Sequence, residues 1–398
     1  MYKMLLILIF VCLISVGVSL NYASSNPADN SSITTIGSFA KEDAASHQQW
    51  IQKSLDDVSG SPHIFIFLPG DYAINDPKGL RVPNGAKLIM EGARFVLSKD
   101  MKQDGQCFVV ENGSNISFRG GEIIGQREVW DPGTNLSGIR VFGDSHDINF
   151  ADMKFENLTS NGIGVFGESD EKPIRNVTLV NITGINCCNY YGDYLDAKKG
   201  PAPDSHRHDQ GTVAFYYVDG WLVDGCRFEK SQSDGTHFYH SHNGRFVNSV
   251  VADSQMGGYF LEGCRHVLAS ENTILRNGSR GVTIERDSAF CTLNDNLIAY
   301  SGREGLWAPD VKCVIVTSNI FRENGQKDDA QKDCEIRIDD EARFKTIPAD
   351  ILITGNIFYT KAHQTAAIFM AEGVKDITIN NNLFNGAAPQ RYAASTNP

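Results

Sequence analysis

Residues 233–249 read SDGTHFYHSHNGRFVNS, residues 256–272 MGGYFLEGCRHVLASEN, residues 279–296 SRGVTIERDSAFCTLNDN and residues 302–309 GREGLWAP. Gly235, Gly258 and Gly281 are 23 residues apart, and Gly305 follows after 24. Each glycine leads into a short strand-like run: Thr236–Tyr239, Tyr259–Glu262, Val282–Glu285 and Leu306–Pro309. A period in the low twenties, made of short β-rich units with turn signals between them, marks a solenoid.

The same pattern extends in both directions. Upstream, 107–125, 137–160 and NGIGVFG (161–167) read as successive coils. The interval from Gly162 to Gly211 is 49 residues, about two periods, and its excess, 185–209, reads as an excursion loop rich in Tyr, charge and Pro. Insertions in solenoids collect on one face, often the binding face. The register of GTVAFYY (211–217) fits two ways. Downstream, Asn272, Asn296, Asn319, Asn356 and Asn382 each precede a short apolar run. One asparagine per coil predicts a stacked ladder, with the asparagine itself in left-handed geometry at the bend. Residues 41–58 predict a helix capped by Asp43, with Trp50, Ile51, Leu55 and Val58 on one apolar face, a plug for the exposed first coil. The fold class is therefore all-β: a right-handed parallel β-helix of about ten coils with an N-terminal capping helix. A β-sandwich would not hold a constant period, and the leucine pattern of a leucine-rich repeat is absent.

The chain has 398 residues and a net charge of −12, with no long basic run, which argues against nucleic acid as a partner. Residues 1–23 predict a secretory signal, with Lys3 as the positive end and Met4–Val18 as the apolar region. The expected organisation is a signal at 1–23, a flexible leader at 24–39, the β-helix at 40–388 and a loose tail at 389–398. The expected location is outside the cytoplasm, secreted, extracellular or periplasmic, with no membrane attachment after cleavage. Eight cysteines lie beyond Cys12. Cys291 and Cys313 fall at near-equivalent points in successive coils and are the best candidate pair, against the alternative of buried thiols stacked in the core.

Three places carry a family resemblance: 47–92 (HQQWIQKSLDDVSG through PNGAKLIMEGA), 115–130 (NISFRGGEIIGQREVW) and the SDGTH coil. They resemble the pectin-lyase-like β-helix superfamily, and within it the polygalacturonase-type hydrolases. The resemblance places Asp234 on the aspartate of that family's N-T-D-G-I-H coil and implies a glycan-active β-helix. The place of the family's Asp-Asp pair reads Gln255-Met256-Gly257-Gly258, and the Gly-His-Gly and Arg-Ile-Lys motifs are also missing.

Side chains alternate along a strand. With glycine as zero, positions +1 and +3 are mostly apolar and face in. Positions +2 and +4 face out: Arg140/Phe142, Gly164/Phe166, His237/Tyr239, Phe260/Glu262, Thr283/Glu285, Trp307/Pro309, Arg337/Asp339 and Phe369/Ala371. Glu262 and Glu285 are expected one coil apart, about 4.8 Å at the backbone. That suits a retaining glycosidase, with repulsion raising the pKa of one carboxyl. The plain alternative is two solvated glutamates tied by Arg280, Arg286 or Arg303. His237 and Tyr239, presented together near an arginine, would instead suit β-elimination or C5-epimerisation of a uronate. His206, His208, His237, His240 and His242, with Asp209 and Asp234, lack a standard zinc spacing. No cofactor is implied; a Ca²⁺ bridging an acidic substrate to carboxylates is chemically reasonable, with no loop motif to mark it.

The partner expected from these residues is an extended, uronate-containing polysaccharide. Glu262, Glu285, His237, Tyr239 and Asp234 are the candidate catalytic residues for hydrolysis. Arg140, Phe142, Phe166, His240, Phe260, Arg286, Trp307, Arg337 and Asp339 are the candidate substrate contacts. The alternatives are a lyase or epimerase working through His237 and Tyr239, and a non-catalytic adhesin.

Overall fold

The computed structural model describes residues 32–38, 44–58, 62–131, 133–189, 210–327, 333–340, 346–388 and 391–394. The predicted signal and most of the excursion loop, including His206, His208 and Asp209, lie outside them, as does Asp43. From Ile33 onward the chain forms one compact unit. It is a right-handed parallel β-helix of three sheets, with 13, 12 and 12 strands. A representative coil runs Thr236–Tyr239 in the second sheet, His242–Val247 in the first and Val250–Ala252 in the third. The strand count exceeds the ten or so coils expected, because the segment before Gln106 also builds coils: Ser32–Ile36, His63–Phe67 and Ala86–Ile89 head the first sheet. Two strands fall outside the expected span of the helix, Ser32–Ile36 in the expected leader and Tyr392–Ala394 in the expected tail.

The period has a steric cause. A Cβ on Gly235 would lie 2.8 Å from the Gly258 carbonyl oxygen, one on Gly258 2.6 Å from that of Gly281, and one on Gly281 2.7 Å from that of Gly305. Each repeat glycine thus sits against the backbone of the next coil, and close approach rather than unusual φ requires it. The inward positions form one continuous core, including Phe238, Leu261, Ile284 and Leu306, all at most 1% exposed. The capping helix, Ala44–Asp56, buries Ile51 and Leu55 fully, but Trp50 lies 38% exposed. No described helix is long and apolar enough to cross a membrane.

The asparagine ladder is present. Asn296 Nδ2 donates to Asn319 Oδ1 (2.9 Å), and Asn319 Nδ2 donates to Asn356 Oδ1 (3.0 Å) and to the Leu293 carbonyl (2.8 Å). The left-handed residues, however, are the ones before the ladder: Glu271, Asp295, Ser318, Gly355 and Asn381. The ladder asparagines are free to turn inward because their predecessors make the bend. Neither Cys291 nor Cys313 forms a disulfide. Thr292 pairs with Ile315, which sets Cys291 level with Val314 and leaves Cys313 one step behind on the opposite face.

A second polar column ends on Glu335. It occupies the glycine position of its coil, is fully buried, and accepts from Asn324 Nδ2 (2.6 Å) and Gln364 Nε2 (2.9 Å). Burial pushes its carboxyl up to about 7, against the opposing effect of these hydrogen bonds. A folded-state pKa above the unfolded value of about 4.3 means the native state holds the extra proton in between. Stability should therefore fall as pH rises from about 4.3 to about 7, by up to about 3 kcal/mol. Glu335→Gln should flatten that slope in urea titrations run across the window; an unchanged slope would refute the assignment. Asn319→Ala removes the side-chain acceptor of the Asn296 backbone N–H, one of three acceptors of Asn296 Nδ2 and a donor to the Leu293 carbonyl, and should lower unfolding free energy by about 1–3 kcal/mol in the same assay.

Candidate functional site

The outer face of the second sheet carries the candidate site. Its ladder aligns Phe142 with Phe166, Phe166 with Tyr216, Tyr216 with Tyr239, Tyr239 with Glu262, and Glu262 with Glu285. The ambiguous coil is thereby resolved: Val213 pairs with Thr236, so Thr212, not Gly211, takes the glycine position. Tyr216, absent from the expected site, joins the column. Counting 23 residues back from Gly235 reaches Thr212, a signal that could have placed it.

Four aromatic rungs lead to the two carboxylates. Ring centroids are 5.9 Å apart for Phe142 and Phe166, 5.7 Å for Phe166 and Tyr216, and 5.1 Å for Tyr216 and Tyr239. The Arg140 guanidinium lies over Phe142 and Phe166. Phe142, Tyr239 and Phe260 are partly exposed, whereas Phe166 and Tyr216 are buried. Phe260 stacks flat on His237, at 4.5 Å and 12°.

The charged centre is built from both sides of a corner. Arg286, directly after the Val282–Glu285 strand, has φ 54°, and Asp287 has φ 62°. Left-handed backbone costs about 1–2 kcal/mol per non-glycine residue. Asp310 offsets it: its carboxylate oxygens accept the N–H groups of Arg286 (2.9 Å) and Asp287 (3.1 Å). Burial raises the Asp310 carboxyl to about 6 despite these bonds. The Arg286 side chain pairs with both glutamates, Nη1 to Glu262 Oε1 at 2.7 Å and Nε to Glu285 Oε1 at 3.6 Å. Glu262 has no exposed surface, and its other oxygen lies 3.1 Å from His237 Nε2. His237 is also fully buried, with Nδ1 3.4 Å from the Tyr216 hydroxyl. Glu285 is 5% exposed.

The remaining expected residues divide. Asp234 is buried and accepts from the Gly257 N–H (2.8 Å), which joins its coil to the next. Trp307 is buried with the Arg280 guanidinium 3.7 Å from its ring centre. Its indole N–H points to Asp339 Oδ2 (3.3 Å), which also accepts from Arg337 Nε (2.7 Å). Fully buried Glu304 pairs with Arg280 (3.3 Å) and Arg303 (3.6 Å). His240 sits apart from the carboxylates: it and His242 both bind Asp170, at 2.9 and 3.1 Å. Asp170 lies 70 residues before His240 in an exposed turn, and no sequence signal links them. Among the described residues no group of three or more His, Cys, Asp and Glu is placed to hold a metal ion.

Of the expected catalytic residues, the fold brings together Glu262, Glu285, His237 and Tyr239. The Arg286 guanidinium lies beside both members of the glutamate pair. Arg286→Ala would leave a fully buried carboxylate facing a second one. With Arg286 itself 39% exposed, the loss should be about 2 kcal/mol, below the range for a fully buried pair. Adding Glu262→Gln should recover part of it; a double variant no more stable than the single one, in chemical denaturation, would show that Arg286 does not act on this pair.

A right-handed β-helix region family model matches residues 211–384. No curated protein matches the chain by sequence. Several solved structures share its architecture. The mannuronan C-5 epimerase A-module of Azotobacter vinelandii is 14% identical with a TM-score of 0.63, over 88% of this chain and 96% of that one. The surface adhesin PfbA of Streptococcus pneumoniae is 13% identical with a TM-score of 0.63, over 88% and 90%. A tailspike of Escherichia coli bacteriophage HK620, in complex with a pentasaccharide, is 14% identical with a TM-score of 0.62, over 90% and 64%. What these structures share with this chain is the fold, a right-handed parallel β-helix.

Proposed function

We propose that this chain is an exported, carbohydrate-active enzyme that binds an extended glycan along the outer face of the second sheet and hydrolyses a glycosidic bond at Glu262 and Glu285. One observation carries the reading: two carboxylates in register on adjacent coils, at the end of an aromatic column on a sheet face. Adjacent coils set their backbones about 4.8 Å apart, the spacing a retaining mechanism uses. Aromatic faces suit the C–H faces of sugar rings. An acidic centre suits the positive charge that develops at the anomeric carbon. The structural neighbours support the glycan: one is a mannuronan epimerase and another holds a pentasaccharide.

Arg286 is the exposed member of the network, and substrate displaces it from the pair. Two carboxylates that close cannot both stay ionised without the guanidinium, so one takes a proton. The protonated glutamate donates to the glycosidic oxygen, the C1–O bond breaks, and the other carboxylate closes on C1. Water then attacks C1, passes a proton to the first carboxylate and frees the ester. Glu285, the less deeply buried of the two, is the group that meets C1 once Arg286 moves aside; Glu262 is steadied by His237.

Glycan binding without cleavage is the second reading. It is favoured by Glu262 having no exposed surface and by the Arg286 lock, and an adhesin shares the fold. The lyase or epimerase reading is weaker, because both ring nitrogens of buried His237 face Glu262 and Tyr216 rather than a groove.

A panel of uronate and neutral polysaccharides separates these. Hydrolysis yields reducing ends without the ultraviolet absorbance of an unsaturated uronate. Glu285→Gln should lower the turnover by about 10²–10⁴-fold. Full activity in that variant would end the hydrolase reading, and retained binding without any cleavage by the wild type would establish the second.

A further inference from the structure

At the N-terminal end of the same sheet face, a cavity of about 520 Å³ lies between the capping helix and the first strands of the second sheet. The helix lines it with three amides, Gln48, Gln49 and Gln52, and the opposite wall holds Asn75, Lys78 and Arg81. Two of the amides fix the wall. Gln48 Oε1 accepts the N–H groups of Asn75 (2.7 Å) and Asp76 (2.9 Å), and Gln52 Oε1 accepts that of Arg81 (2.7 Å). Gln49 and Lys78 are exposed and spend no side-chain hydrogen bond among the described residues. The Asn75 amide nitrogen, of a residue that lines the cavity, is buried and has no hydrogen-bond partner among them.

The cavity lies at the end of the column that carries the candidate site. Its floor residues Val109 and Glu111 are in register with Arg140 and Phe142, the first rung of the aromatic column. Five coil steps separate Glu111 from Glu262, about 24 Å at about 4.8 Å each. An amide both donates and accepts, as a sugar hydroxyl does, and Val109 offers an apolar contact for a ring face. The volume falls in the range of small-molecule sites.

We propose that this cavity is a remote subsite that holds one pyranose unit of a glycan whose remaining units run along the aromatic column. The proposal rests on the glycan reading above, but its readout is chain-length dependence of binding rather than cleavage. The helix then has a second task besides plugging the solenoid: Gln49 offers its amide to the sugar hydroxyls, while Gln48 and Gln52, whose oxygens and nitrogens are already bonded, hold the wall in place.

The test uses the full chain carrying Glu285→Gln, so that no probe is consumed. Oligogalacturonides and neutral galacto-oligosaccharides of three and ten units are titrated by calorimetry. A ten-unit probe of one ladder should bind at least about tenfold tighter than its three-unit counterpart, about 1.4 kcal/mol. Gln49→Ala with Lys78→Ala should erase that advantage while leaving three-unit binding unchanged. Val109→Phe, which fills the floor, should do the same. An advantage that survives both variants, an advantage absent from the start, or no binding of either ladder overturns the subsite. Failure of the hydrolase reading looks different: the wild type cleaves nothing, while the length dependence and its loss in the variants remain.

Discussion

A parallel ladder fixes equivalent residues of neighbouring coils about 4.8 Å apart, and side chains on one face have no freedom to drift from their counterparts. Everything on the second sheet follows from that constraint. Phe142, Phe166, Tyr216 and Tyr239 stack because their backbones are already in register. Glu262 and Glu285 meet for the same reason, with like charge instead of like rings. A coil register brings similar groups together whether or not they attract. The fold must therefore supply a counter-charge wherever two acids align.

That counter-charge comes from the corner rather than from the strand. Arg286 follows Glu285 in sequence, and a side chain there would ordinarily continue into the next sheet. Its left-handed backbone turns it back over the pair, and Asp310 on the following coil holds the turn by two N–H groups. The charge network is thus a three-coil device: Glu262 on one, Glu285 and Arg286 on the next, Asp310 on the third. His237 on a fourth completes the contacts of Glu262.

The period was legible in the sequence because steric exclusion repeats at fixed spacing. Gly235, Gly258 and Gly281 meet the next coil's carbonyl, and a Cβ at any of the three would collide with it. From the period came the pairing of Glu262 with Glu285. What was not legible depended on single-residue offsets and distant partners. Gly211, with φ 86°, makes a bend one residue before the repeat position and so masked the alignment of Tyr216. The asparagine ladder was readable, but the left-handed bend sits on the residue before each rung, and no composition rule separates the two. Cys291 and Cys313 differ by one register step, enough to point them to opposite faces. The exposure of Arg286 and the burial of His237 depend on corners and overlying side chains that the strand pattern does not encode.

Stability alone does not account for the charged column. Glu262 is fully buried in the outward column against Arg286 and His237, and Glu304, two coils further on at a different strand position, is fully buried against Arg280 and Arg303. Replacing a buried ion pair by apolar side chains of similar volume is commonly neutral or stabilising. The same sheet face demonstrates that this fold accepts such a column, since Phe142 and Phe166 occupy the equivalent positions four and three coils before Glu262. The transition from aromatic to acidic rungs at Tyr239–Glu262 is therefore not demanded by the architecture. Departures from the locally most stable choice concentrate where a protein binds or reacts. This one sits on the outer face with partly exposed aromatics beside it, where the proposed glycan would lie along the coils.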